Sequence, residues 1–142
     1  LVLQFHVVAM FLPSLITGNL IKKYGHSAII YGGVLFFFIT VLISLFEQTY
    51  LNYMLSLIFL GLGWNFLFIS GTSLVVLTYN KEEKFKVQGI NDLIVFSTMA
   101  LASLSAGILL NSIGWKMMNI ICIPFLILII LVSFVADKKS AS

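Results

Sequence analysis

The stretch from Met10 to Gly25 reads MFLPSLITGNLIKKYG, and the stretch from Met99 to Gly114 reads MALASLSAGILLNSIG. Laid together at an offset of 89 residues, they share Met10 with Met99, Leu12 with Leu101, Ser14 with Ser103, Leu15 with Leu104, Gly18 with Gly107, Leu20 with Leu109 and Gly25 with Gly114. Seven identities in sixteen positions exceed the roughly one or two that so apolar a composition gives by chance. Each copy is an apolar run closed by a glycine, which fits a helix that stops there on a left-handed C-cap. Ser14 with Gly18, and Ser103 with Gly107, are small residues four apart. Such pairs let a neighbouring backbone approach closely where lipid offers no hydrophobic drive to pack. The next helix carries the match on weakly, through Phe36 with Phe125 and Ser44 with Ser133.

Around these two copies the chain is apolar throughout. Of its 142 residues 61% are hydrophobic and 9% charged, with a mean hydropathy of +1.12, against about a quarter charged in a soluble domain. Five segments are long enough to cross the roughly 30 Å hydrocarbon core: residues 2–21, 28–46, 51–79, 87–113 and 117–136. The expected fold is therefore an all-α polytopic membrane bundle of five transmembrane helices. The third and fourth segments exceed the required length, which predicts tilt or extension beyond the bilayer.

Charge follows the connections between spans. The net charge of +3 comes from eight lysines and no arginine. Lys22, Lys23, Lys81, Lys84, Lys86, Lys138 and Lys139 fall in alternate connections and at the end, whereas Lys116 stands alone on the other side with Glu47. Lysine-rich short loops stay cytoplasmic, so the first residues are expected outside and the tail 137–142 inside. Lysines dispersed in this way make no nucleic-acid face. On that orientation the first span runs inward and its copy runs outward, an inverted repeat of the kind that frames the central site of secondary transporters. The second three-helix unit is then complete and the first lacks its opening helix. An odd span count and a start on Leu1 lead us to expect a piece of something longer. No charged n-region precedes the first span, so no signal peptide is expected.

Several residues stand out as candidates. Asn65 lies near the middle of the third span, where an amide must find a partner, and shares a helical face with Gly61, Phe68 and Thr72, with Trp64 beside it. This face either contacts a solute or makes an interhelical hydrogen bond worth about 1 kcal/mol. Asp92 is the one acid inside an apolar frame, about one turn into the fourth span on a stripe with Gln88, Phe96, Met99 and Ser103. It either accepts a coupling proton or sits as an anion near a helix N-terminus. His6 shares a stripe with Met10, Pro13, Ser14 and Thr17, which either faces a cavity or leaves the imidazole solvated at the interface. Pro13 is expected to bend its helix. Cys122 reads as a small core hydrophobe. The scattered His, Cys and acidic residues give no metal spacing, no nucleophile with its base and no phosphate loop, so neither an enzyme, a metal nor a cofactor is expected.

Gly18-Asn19-Leu20-Ile21-Lys22-Lys23-Tyr24-Gly25-His26 resembles the Gly-x-Leu-x-Asp-Arg-x-Gly-Arg loop signature of the major facilitator superfamily, in its second copy between the eighth and ninth helices. Gly61 to Phe66 (GLGWNF) and Gln88 to Asp92 (QGIND) are similar to segments of a bacterial branch. The loop motif here is Gly18, Leu20, Lys22, Lys23 and Gly25. Lys22 stands where the signature has Asp and His26 where it has Arg, so a charge relay through that Asp does not carry over.

The resemblance implies helices eight to twelve of twelve, a partial C-terminal half in a bacterial cytoplasmic (inner) membrane, and secondary active transport of a small solute by alternating access. Proton coupling and a missing N-terminal half of the same protein as partner are implied too. The tenth helix of such proteins lines the cavity, which makes Asn65, Trp64, Phe68 and Thr72 expected cavity residues, and Asp92, Gln88 and His6 join them as candidates from their own stripes. The alternative is a truncated or independently expressed bundle with a structural or regulatory role and no transport.

Overall fold

The computed structural model describes residues 1–47 and 49–140. Every regular element among them is an α-helix: α1 Val2–Phe11, α2 Ser14–Tyr24, α3 His26–Leu45, α4 Tyr50–Val76, α5 Lys84–Ile121 and α6 Ile123–Ser140. Helices α3 and α4 are each long and apolar enough to cross a membrane, and α1 with α2 passes the same test as one broken span. A third continuous stretch runs for 55 residues from Lys84 to Lys138, roughly 80 Å at 1.5 Å per residue, more than twice a bilayer core. It is divided at Gly114, whose φ of 75° and ψ of 171° are not helical. Five segments of membrane length result, an all-α membrane bundle.

The boundaries differ from the sequence reading in instructive ways. The first segment is not one helix over 2–21, because α1 and α2 meet at a 41° bend. Pro13 has no N–H to give and its ring crowds the preceding turn. The helix of the third expected span, α4, ends at Val76 and leaves Tyr79 in the connection. Helix α6 runs on to Ser140, past the expected span end at 136, and Asp137 accepts hydrogen bonds from Ser27 and Tyr31 on α3. Residues 141 and 142 of the expected tail lie outside the described residues. Cys122, read as a core residue, is exposed.

Gly25 and Gly114, the final identities of the repeat, are the two described residues with positive φ. Gly25 has φ 84° and ψ 164° and so nearly duplicates Gly114. Neither is the left-handed cap expected from the sequence, since ψ is extended. Both occupy the region that is open almost only to glycine, and each turns one helix directly into the next. The remaining repeat glycines do not pack as expected: nothing in the structure lies within 4 Å of a Cβ built on Gly18 or Gly107.

Close approach happens instead on α4. A Cβ on Gly61 would stand 2.7 Å from the His6 carbonyl oxygen and 2.9 Å from the Ala9 Cβ on α1. A Cβ on Gly63 would stand 2.9 Å from the Gly33 carbonyl oxygen on α3. Two residues apart on a helix means about 200° of rotation, so α4 is gripped from opposite sides by α1 and α3.

The innermost side chains are small and hydroxylated. Thr17, Thr40, Ser44, Ser56 and Ser70 are buried beside Val34, Val41 and Ile29, while most phenylalanines and leucines point outward. This follows from lipid as solvent, where burying Leu gains little over leaving it in contact with acyl chains.

One polar cluster holds the bend. With Pro13 unable to donate and α2 starting afresh, the last carbonyls of α1 lose their partners, and in lipid no water replaces them. Ser14 Oγ donates to the Phe11 carbonyl at 2.5 Å, and Asn65 Nδ2 on α4 donates to the Met10 carbonyl at 2.7 Å. The Asn65 Oδ1 is met by Thr17 Oγ1 at 2.7 Å, whose single proton is shared with the Pro13 carbonyl at 2.8 Å.

Two outcomes test this packing. Gly61→Val should lower the unfolding midpoint of the detergent-solubilised protein, by about 1–3 kcal/mol of overpacking, whereas Gly107→Ala should leave it unchanged or raise it slightly. Asn65→Leu should cost about 1–3 kcal/mol, because it strands the Met10 carbonyl, and Thr17→Val less. In the double variant the two losses should fall short of additivity; full additivity would show that Thr17 and Asn65 do not act together.

Candidate functional site

Seven residues drawn from the sequence as cavity candidates settle into three places. Asn65 is 1% exposed and belongs to the bend cluster, with both ends of its amide engaged by the first span. His6, on the same side of the bundle, is half-buried with Nδ1 2.6 Å from the Leu57 carbonyl of α4. A carbonyl only accepts, so Nδ1 carries the proton in that bond. The ring is thus docked on α4 and not simply solvated, and the stripe of His6, Met10, Pro13 and Thr17 is turned toward that helix.

Trp64 and Phe68 form the second group. One turn apart on α4, their rings stack at 4.6 Å with planes 9° apart, and Phe11 meets Trp64 edge-on at 6.0 Å. Both side chains are half-buried, so this ladder of π faces stands beside the bend and retains accessible surface. Offset stacks of this kind add about 0.5–1.5 kcal/mol beyond the area they bury.

Thr72, Gln88 and Asp92 come together in the third place. With Ser73, Asn91 and the apolar Ile69, Val75 and Val76 they line a cavity of about 400 Å³ between the last turns of α4 and the first turns of α5. This volume lies in the range of small-molecule pockets. The α4–α5 connection folds α5 back along α4, which puts positions four apart on α5, Gln88 and Asp92, opposite the Thr72–Ser73 step.

Each polar group is positioned by a bond of its own. Thr72 donates back to the Phe68 carbonyl at 2.8 Å, Gln88 Nε2 donates to the Tyr79 hydroxyl at 2.8 Å, and Asn91 Nδ2 reaches Asp92 Oδ1 at 3.3 Å. Ser73 Oγ lies 3.0 Å from Nε2 of His26 on α3. Asp92 itself is exposed at the cleft mouth. Sequence reasoning missed Ser73, Asn91 and His26. Asn91 was within the quoted QGIND segment, but its direction on the helix needed the α4–α5 packing to become visible.

The loop motif turns the corner next to this cleft. Lys22 and Lys23 occupy the last turn of α2, where cations favour the helix C-terminus, and Lys23 Nζ lies 5.0 Å from the centre of the Tyr24 ring. Gly25 makes the turn and His26 begins α3. Contacts from this corner reach α4 through His26 and α6 through Ser27 and Tyr31. At the opposite end of the bundle Tyr53 meets Trp115 with ring centres 5.2 Å apart. Among the described residues no group of three or more His, Cys, Asp or Glu side chains could hold a metal.

This architecture coincides with a known group of proteins. The Major Facilitator Superfamily profile matches residues 1–142. The riboflavin transporter RfnT of Brucella anthropi is 41% identical over 128 residues, which is 90% of this chain and 32% of that protein. Two MFS-type transporters of Bacillus subtilis, YdeG and YddS, which carry no assigned substrate in their names, are 31% and 28% identical over 123 and 122 residues. The chain thus spans about a third of the length of the curated relatives it matches, 28–32% of each. No solved structure matches it. A helical bundle of membrane segments, glycine corners at both copies of the repeat and a profile match along the whole chain lead to one conclusion: the chain belongs to the major facilitator superfamily.

Proposed function

We propose that this chain is the C-terminal part of a secondary active transporter that moves a small solute across a bacterial cytoplasmic membrane by alternating access, with the remainder of the same protein supplying the other wall of the cavity. The observation that carries this reading is the 41% identity over 128 residues to a riboflavin transporter, at a level where an entire membrane segment order is normally retained. Riboflavin, or a solute with the same planar heterocycle, is the proposed substrate class. The half-buried Trp64–Phe68 stack supports it, since a flat aromatic ring system is held well by π faces already aligned.

In this reading the first residues lie outside and residues 137–142 lie in the cytoplasm, because seven of eight lysines fall in alternate connections of the sequence and at its end. Asp92 at the cleft mouth is the proposed proton-coupling group, a carboxylate inside a membrane segment.

Two measurements test these points. Green fluorescent protein fused after Ser142 should fluoresce and alkaline phosphatase fused there should stay inactive; the reverse pattern would invert the topology. Proteoliposomes of the full-length protein should take up radiolabelled riboflavin, faster under an imposed proton gradient, and Asp92→Asn should abolish the gradient's effect while leaving downhill exchange. Gradient dependence that survives Asp92→Asn would remove this residue from coupling.

A further inference from the structure

The cleft between α4 and α5 is chemically one-sided. Thr72 commits its only hydroxyl proton to the Phe68 and Ile69 carbonyls and is left with lone pairs. Gln88 and Asn91 each commit one amide hydrogen, to Tyr79 and Asp92, and their carbonyl oxygens take part in neither bond. An ionised carboxylate such as that of Asp92 only accepts. Against these four acceptor groups stand at most one further N–H on each of the two amides and the Ser73 hydroxyl, which is already paired with His26, and no lysine is among the lining residues. Lys84 and Lys86, both exposed, lie eight and six residues before Asp92 on α5, roughly 12 and 9 Å along the axis. That is about the distance over which physiological salt screens a charge.

We infer that this cleft binds the hydrogen-bond-donating part of an uncharged solute, a polyhydroxyl or N–H-bearing group, and turns away solutes that carry phosphate or carboxylate. An anion drawn in here would lose water, find few donors to replace it and meet a like charge at Asp92. A hydroxyl chain finds an acceptor for each of its protons. The inference rests on the transport reading above, and it makes Asp92 and Asn91 specificity-determining residues. Under it, riboflavin, whose side chain is a polyol, enters, and its 5′-phosphate does not.

The test places a thiol on the cleft wall. In the full-length transporter, freed of native cysteines (Cys122→Ser included), Val76→Cys is allowed to react with a cationic trimethylammonium-ethyl methanethiosulfonate and with the anionic sulfonatoethyl reagent. Each rate is normalised to the same reagent's rate with free cysteine. The cation should be favoured by about threefold or more, Asp92→Asn should bring the ratio back toward one, and Asn91→Asp should raise it. Saturating riboflavin should slow labelling severalfold while riboflavin 5′-phosphate leaves it unchanged. A ratio favouring the anion overturns the charge filter, and labelling unaffected by riboflavin in a protein that transports riboflavin overturns the site. Absence of any riboflavin transport would sink the substrate reading instead, and the charge ratio would still decide the selectivity of the cleft.

Discussion

Inside a bilayer a peptide carbonyl without an N–H partner has no water to turn to, and the break at Pro13 creates such carbonyls in the first span. The rest of the bundle is arranged around meeting that demand. Asn65 must lie within 3 Å of the Met10 carbonyl, so α4 must lie against α1, and no side chain larger than hydrogen fits at Gly61, one turn before Asn65. The amide then needs its own acceptor satisfied, and Thr17, one turn into α2, does so from beyond the break. One proline thus sets the register of two helices against a third. A polar residue that would be an expense in an apolar core here removes a larger one.

Helix α4 is gripped from both sides: Gly61 seats it on α1 and Gly63 on α3, and the ring of His6, the hydroxyl of Thr40 and the amide of Asn65 each bond to or across it. The side chains of α5 from Lys84 to Ile113 are mostly exposed in this chain, which spans about a third of its relatives' length, and the polar cleft lies between that segment and α4.

Much of this was legible in the sequence, for reasons that can be named. Span count, composition and the lysine alternation are one-dimensional signals, and lipid imposes them strongly. Asn65 was legible as an amide in need of a partner, because polarity at that depth is rare. Its partner was not, since a backbone carbonyl 55 residues away leaves no mark of its own; only Pro13 hinted that a carbonyl would be free. The small-residue pairs at Gly18 and Gly107 meet no neighbour among the described residues of this chain, and spacing alone does not tell which helix a small face is turned to. Gly61 and Gly63, two apart instead of four, carry the close contacts precisely because they serve two neighbours. In the cleft, Gln88 and Asp92 were visible as a stripe, but Asn91 and Ser73 needed the direction in which α5 folds back.

The corners at Gly25 and Gly114 have a mechanical consequence. Each joins two helices through a single residue, with a backbone geometry that side chains cannot easily copy. A hinge of that length has no slack: the helices on either side cannot slide along one another without unwinding a turn. The helices on either side of each corner are thus held as a pair with a fixed apex, and the connection at residues 77–83 between α4 and α5 is the longer link along which such pairs can reorient.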